Sequence, residues 1–262
     1  MNIDLSSKIA LVGASTQGLG FATAVCLANC GANVFLMARN KEKLINAVAK
    51  LPITSEGQKH GYLVADFSDY LSFKKIIEDF FSRNEIDILI NNTNGPRATS
   101  ALDAELSDYE SAFNTLFKTV VETTMLAIPQ MINKGRGRII NVSSSSIVEP
   151  INNLVLSNAI RSATAAWAKT LANEVGQYDI TVNNILTGNF DTERIEQLIS
   201  NQASTTGISN EKIRAERMDK IPMKRMGRPE EFGYLVSFLA SDLASYITGT
   251  DIPIDGGLLK SR

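Results

Sequence analysis

Histidine is almost missing from this chain: His60 is the only one in 262 residues. Without a second imidazole there is no multi-histidine metal site, and His60, in a loop-like stretch, anchors no histidine triad. Cysteine is nearly as scarce. Cys26 and Cys30 fall four apart on one helical pattern, a poor geometry for a disulfide, and no further cysteine completes a thiolate site. The expectation is two reduced thiols and no metal. No apolar run reaches membrane-spanning length. The segment "MNIDLSSK" lacks the apolar core of a secretory signal. A cytoplasmic protein with no membrane partner is therefore expected. Neither sign of charge is in excess, with 26 Lys and Arg against 28 Asp and Glu and a formal charge of −2. That leaves no electrostatic footprint for nucleic acid. Internal repeats and low-complexity linkers are also absent.

What the chain does have is 44% hydrophobic content, distributed in a regular alternation. Short apolar runs occur at 8–12, 33–37, 61–65, 86–91, 137–142, 180–185 and 250–254. Amphipathic stretches lie near 19–29, 41–50, 70–82, 105–133, 157–176 and 229–240. Strands that are apolar throughout, separated by helices, indicate a parallel sheet covered on both faces. The predicted fold is α/β: a Rossmann-like doubly wound parallel sheet of about seven strands, forming one domain over 1–262. The rhythm breaks at 193–222, a polar helical segment with a Ser/Thr/Gly hinge. Its place after the sixth strand suits a lid over the carboxyl ends of the strands, and equally a solvated helix pair.

The first strand, turn, helix and second strand read "KIALVGASTQGLGFATAVCLANCGANVFLMARN". Gly18 and Gly20 allow close approach of backbone and helix, and the helix N-terminus suits a pyrophosphate. The candidate cofactor contacts here are Gly13, Ser15, Thr16, Gln17, Gly18, Leu19 and Gly20. The position expected to hold the turn's first glycine is Ala14, with Gly13 one place early. The second strand ends on Ala38 and Arg39, where an acid would accept the ribose 2′-hydroxyl of NAD. An uncharged residue followed by Arg fits a 2′-phosphate instead, so NADP(H) is expected over NAD(H). Asp66, followed by Phe67, is placed to meet the adenine.

At this point the chain resembles the short-chain dehydrogenase/reductase family, in particular its ketoacyl-carrier-protein-reductase-like members. "NNTNG" (91–95) is similar to the family's Asn-Asn-Ala-Gly segment, and "RIINVSSS" (138–145) to the strand and loop bearing its catalytic serine. "LTGNFDT" (186–192) is similar to its Pro-Gly-x-x-x-Thr segment, with Thr187 in place of Pro. Residues 221–257 follow its C-terminal segment closely. The resemblance implies cofactor contacts from Asn92, Gly188, Phe190 and Thr192. It also implies a small-molecule carbonyl or hydroxyl substrate and a homo-oligomer, tetramer or dimer. For the assembly, Val120, Val121, Met125, Trp167 and Leu171 supply apolar side chains beyond one helix face.

Family chemistry uses a serine, a tyrosine, a lysine four residues after it, and an asparagine in the preceding long helix. The serine matches Ser144, with Ser143 and Ser145 as alternatives. The family spacing from Ser144 reaches Ser157 where tyrosine belongs, and Arg161 where lysine belongs. The asparagine position falls on Leu116, and Asn114, two residues away, lies on roughly the opposite helix face. A serine hydroxyl is a far weaker acid than a phenol, and a guanidinium relays no proton. Arg161 can still bind ribose hydroxyls. The chain's one Tyr-x-x-x-Lys, Tyr70 to Lys74, follows the third strand, far from the serine loop. Three readings follow: an NADP(H)-dependent oxidoreductase with an atypical site built on Ser144, Ser157 and Arg161, a non-catalytic dinucleotide-binding protein, or a non-redox enzyme using the same cleft. Apolar neighbours Ile147, Val148, Leu154 and Phe190 suggest an apolar cleft, although core packing explains them equally well.

Overall fold

The structure, a computed structural model, describes residues 3–261. Seven strands form one parallel sheet in the order β3-β2-β1-β4-β5-β6-β7. They are β1 (Ile9–Gly13), β2 (Asn33–Ala38), β3 (Gly61–Val64), β4 (Ile88–Asn91), β5 (Gly137–Ser144), β6 (Ile180–Thr187) and β7 (Asp251–Ile254). Strand order reverses between β1 and β4, and such a switch point opens a crevice at the carboxyl ends of the strands.

The helices are α1 (Gly18–Asn29), α2 (Lys41–Val48), α3 (Tyr70–Arg83), α4 (Leu106–Phe113), α5 (Thr119–Lys134), α6 (Val155–Val175), α7 (Glu193–Thr206), α8 (Asn210–Lys220) and α9 (Pro229–Ala240). They cover both faces and create two cores. One joins Leu27, Val34, Ile90, Phe232 and Val236, the other Leu11, Phe73, Ile77, Met131 and Val182. Each face buries its own apolar set, so the strands carry apolar residues at consecutive positions.

The stretch 105–133, expected as one helix, is interrupted: α4 and α5 are joined by a π-helical turn over Asn114–Lys118. Apolar spacing runs through the turn unbroken, so periodicity alone does not reveal it. Within it Leu116 is buried and its carbonyl accepts from Thr164 Oγ1 of α6 (3.0 Å). Phe113 and Phe117 stack one turn apart, and Phe117 meets Trp167 edge-on. Of the five side chains expected beyond one face, Val120 and Leu171 are buried within the chain itself. Met125 is exposed, and Val121 and Trp167 are partly so.

The break at 193–222 is α7 and α8, folded onto each other around buried Ile195, Ile199, Ile213 and Met226. Gly207, at φ +71°, turns the chain between them. Asp191 and Glu196 both pair with Arg214, clamping α7 to α8.

Candidate active site

The crevice begins with a turn that has no room for a side chain at Gly13 or Gly20. An added Cβ on Gly13 would stand 2.2 Å from the Asn92 carbonyl oxygen, and one on Gly20 2.4 Å from that of Ala14. Asn92 Nδ2 donates to the Gly13 carbonyl (3.1 Å), tying the loop after β4 to the turn. Ala14 adopts φ +43°, a left-handed conformation that glycine takes without strain. Gly18, at φ +58°, opens α1, whose N-cap Gln17 makes no side-chain cap bond. The first N–H groups of α1 are thus left to an anion, and the close turn admits a pyrophosphate against the backbone. These residues fit a dinucleotide.

Other predicted contacts divide into those free for a ligand and those whose side chains are already engaged. Arg39 is exposed just past β2, and no ion pair engages it among the described residues. Asp66 accepts from the Ser68 N–H and hydroxyl, leaving its second carboxylate oxygen. Thr16 and Leu19 are partly exposed on the turn, and Gln17 donates to Glu193 at the start of α7 (2.5 Å). Thr192 closes over Gly18, its methyl 3.6 Å from where a Cβ would be. Gly188 is held at β7 by its N–H to the Ile254 carbonyl.

Three side chains face inward instead. Ser15 is fully buried, donating to the Val12 carbonyl and accepting from the Met37 N–H. The rings of Phe67 and Phe190 pack on Phe73 and Phe232. Motif spacing locates the backbone at these positions, but the ring or hydroxyl goes where packing and hydrogen bonding direct it. Phe190 therefore contributes to the core and does not give the cleft an apolar wall.

At the far end of the crevice, β5 closes on Ser144, whose hydroxyl accepts from the Ser146 N–H (3.2 Å). Helix α6 returns beside it. Ser157 and Arg161 lie one turn apart on α6, both partly buried, and Arg161 Nη1 donates to the Val142 carbonyl on β5 (2.5 Å). Burial pushes the Arg161 pKa down to about 10, and the nearby Arg194 charge pushes the same way. Even so, Arg161 stays cationic at neutral pH. Beneath it is a cavity of about 10 Å³ lined by Asn91, Leu116, Asn141, Ser143 and Asn184, among others. Leu116 thus presents an apolar side chain to this cavity, at the position where the resemblance implies an asparagine. Ser143 Oγ is buried at this cavity with no hydrogen-bond partner. The space is at the lower limit for one water.

A ladder of amides runs across the sheet here. Asn91 donates to Asn141 (2.9 Å), Asn141 to Asn184 (2.8 Å), and Asn184 to the Asp251 carboxylate (2.7 Å). Each pair is in register on neighbouring strands. The Asp251 carboxylate only accepts, so it sets the direction of every amide behind it. The sequence signal was visible: three apolar strands each carry Asn at or near the same end. Arg194, the other residue missed, is the second residue of α7. Its Nη2 donates to the Pro96 carbonyl (2.6 Å).

Residues set aside at the sequence level are structural. Tyr70 and Lys74 both bond Glu122 of α5, and burial with the Glu122 carboxylate raises the Tyr70 pKa, the wrong direction for a proton donor. His60 bridges the Val34 N–H and the Pro52 carbonyl. Burial pushes the Cys26 thiol up to about 11. Among the described residues, no group of three His, Cys, Asp or Glu is placed for a metal, and no helix is long and apolar enough to cross a membrane.

Comparison with known proteins agrees with this architecture. The family model described as Enoyl-(Acyl carrier protein) reductase matches residues 13–259. The 3-oxoacyl-(acyl-carrier-protein) reductase FabG of Thermotoga maritima is 31% identical over 97% of this chain and 99% of its own. The NADPH-dependent reductase BacG of Bacillus subtilis is 29% identical over 98% of this chain and all of its own. The crystal structure of L-sorbose reductase from Gluconobacter frateurii, complexed with NADPH and L-sorbose, superposes with a TM-score of 0.91 at 26% identity over the full length of both chains. With a glycine-lined turn at one end of the crevice, a serine loop at the other, and matches along the whole chain, this protein belongs to the short-chain dehydrogenase/reductase family, among its 3-oxoacyl-(acyl-carrier-protein) reductase-like members.

Proposed function

We propose that the chain is an NADP(H)-dependent carbonyl reductase with an atypical proton-donating side. The observation that carries this reading is the juxtaposition along one crevice of a turn closed to any side chain, at Gly13 and Gly20, with the Ser144 and Ser157–Arg161 surfaces. A bound nicotinamide supplies the hydride. The Gly13–Gly20 turn and Thr192 would hold the pyrophosphate, Arg39 the 2′-phosphate, and Arg161 the nicotinamide ribose. NADPH-linked relatives such as BacG support the choice of NADP(H).

In this reading Ser144 and Ser157 orient the carbonyl oxygen. The proton comes from water at these hydroxyls, because Arg161 holds its own protons and no phenol stands at position 157. A positioned general acid contributes roughly 10²–10⁴-fold, so its replacement by water leaves a slow reductase. The segment α7–α8 acts as a lid, latched to the dinucleotide turn through Glu193 and Gln17. The protein is a single-domain, cytoplasmic homo-oligomer, tetramer or dimer, joined through the face around Phe113, Met125 and Trp167. Light scattering at micromolar concentration checks this assembly, and a monomer would refute it.

The same missing phenol also favours a second reading, a dinucleotide-binding protein without turnover. Calorimetric titration with NADPH, paired with NADPH oxidation over a broad panel of ketones, separates the two. Binding with slow but saturable turnover supports the reductase, and binding with no turnover supports the second reading.

A further inference from the structure

Two neighbouring, partly buried guanidinium groups, those of Arg161 and Arg194, have no counter-charge among the described residues. Arg161 donates to the Val142 carbonyl and Arg194 to the Pro96 carbonyl. Among the described residues, no carboxylate forms an ion pair with either. The loop 92–96 runs between them: Thr93 lines the cavity under Arg161, and Gly95 lies beneath the Arg194 guanidinium, 3.1 Å from Nη2 to an added Cβ. The acids nearest in sequence are turned elsewhere, with Asp191 and Glu196 on Arg214 and Glu193 on Gln17. Burial lowers the pKa of both arginines, and no carboxylate raises either. Partly buried cations are ordinarily paired. A cleft that keeps two unpaired cations is built for an anion.

Two anions are available to it: the cofactor pyrophosphate and an acidic substrate. The pyrophosphate site is the turn at Gly18, which Thr192 covers, whereas the Arg194 guanidinium lies against Gly95 and donates to the Pro96 carbonyl, in the loop after β4. We propose that Arg194, reinforced by the charge of Arg161, forms an anion subsite beside the reacting carbonyl, and that the substrate is a carbonyl compound bearing a carboxylate or phosphate group. The proposal rests on the reductase reading for the word substrate, but the subsite itself does not require turnover.

The test compares matched pairs: acetoacetate and levulinate with their methyl esters, and dihydroxyacetone phosphate with dihydroxyacetone. Calorimetry on the NADP+ complex measures binding, and initial NADPH oxidation rates measure kcat/KM. The acidic member of a pair should bind at least about tenfold more tightly than its neutral counterpart, the factor a charge-assisted hydrogen bond supplies. Which pair shows the preference tells carboxylate from phosphate. Arg194→Gln should erase the preference, Arg194→Lys should retain part of it, and NADPH affinity should change less than twofold in both. Acid binding without turnover of any ketone keeps the subsite and rejects the reductase. Turnover with no acid preference keeps the reductase and overturns the subsite. No binding of any acid, or an Arg194→Gln variant that loses NADPH affinity tenfold, also overturns it.

Discussion

Exchanging the two small residues of the dinucleotide turn tests its geometry in opposite directions. At Gly13 a methyl group would meet the Asn92 backbone at 2.2 Å from O, 3.2 Å from C and 3.3 Å from N. These atoms have little freedom to retreat. Ile90, two residues earlier, is paired with Val12 in the sheet, and Asn92 Nδ2 is bonded to the Gly13 carbonyl. Gly13→Ala should therefore cost about 1–3 kcal/mol, as overpacked interiors do. At Ala14 the methyl already exists in a left-handed backbone, φ +43°. Removing it relieves about 1–2 kcal/mol and gives back roughly 0.4–1 kcal/mol through the freer unfolded chain. Ala14→Gly should thus gain about 0.5–1 kcal/mol net. Thermal unfolding reads both, at roughly 2–4 °C per kcal/mol for a chain of this size. Gly13→Ala should also weaken NADPH binding, because the turn moves with Asn92. The double exchange should not recover Gly13→Ala, since the contact lies at position 13. A tolerated Gly13→Ala together with a destabilised Ala14→Gly would refute this account of the turn.

Other consequences are independent of that turn. Arg39→Ala should weaken NADPH binding by about 1.5–3 kcal/mol and leave NADH nearly unchanged, the value of a charge-assisted bond to the 2′-phosphate; equal calorimetric affinities for the two cofactors in the unaltered protein would exclude the role. The Arg225 guanidinium, with the Arg228 N–H, holds the Glu231 carboxyl at about 2 against an ordinary 4.5. Its folded-state pKa is depressed, so its stabilisation is complete above the unfolded value and is lost as pH falls from about 4.5 to about 2. Glu231→Gln should therefore be less stable than the unaltered protein above about pH 4.5, and the difference should shrink as pH falls to about 2; stability profiles that coincide at every pH would remove Glu231 from the explanation.

Much of the sheet was legible because strands buried on both faces leave unbroken apolar runs, as in "IDILIN" and "GRIINV". The helix pair at 193–222 was legible as a polar interruption, and the turn at Gly207 as a glycine amid Ser and Thr. The π-helical turn at 114–118 was not, since an inserted residue leaves local apolar spacing intact. Side-chain direction was also hidden. Ser15, Phe67 and Phe190 sit within motifs that place the backbone near a dinucleotide, yet their side chains serve the interior. The approach of Arg161 and Arg194 to one crevice depends on α6 and α7 meeting the same loop from different parts of the chain. No local pattern carries that information.

The central claim is that the proton-donating side of this site is altered at Leu116, Ser157 and Arg161, and it can be tested by rebuilding it. Initial-rate NADPH oxidation with an acetoacetyl thioester compares the unaltered protein with Ser157→Tyr/Arg161→Lys and with the triple variant adding Leu116→Asn. The unaltered protein should be at least about a hundredfold slower than a reductase with a positioned acid. The double variant should gain rate through a phenol whose pKa a neighbouring ammonium lowers, and the triple variant should gain more. Calorimetry must show that each variant still binds NADPH, because a tyrosine at position 157 carries an overpacking cost of about 1–3 kcal/mol. Ordinary reductase rates in the unaltered protein, or no gain in a folded triple variant that binds NADPH, would contradict the claim.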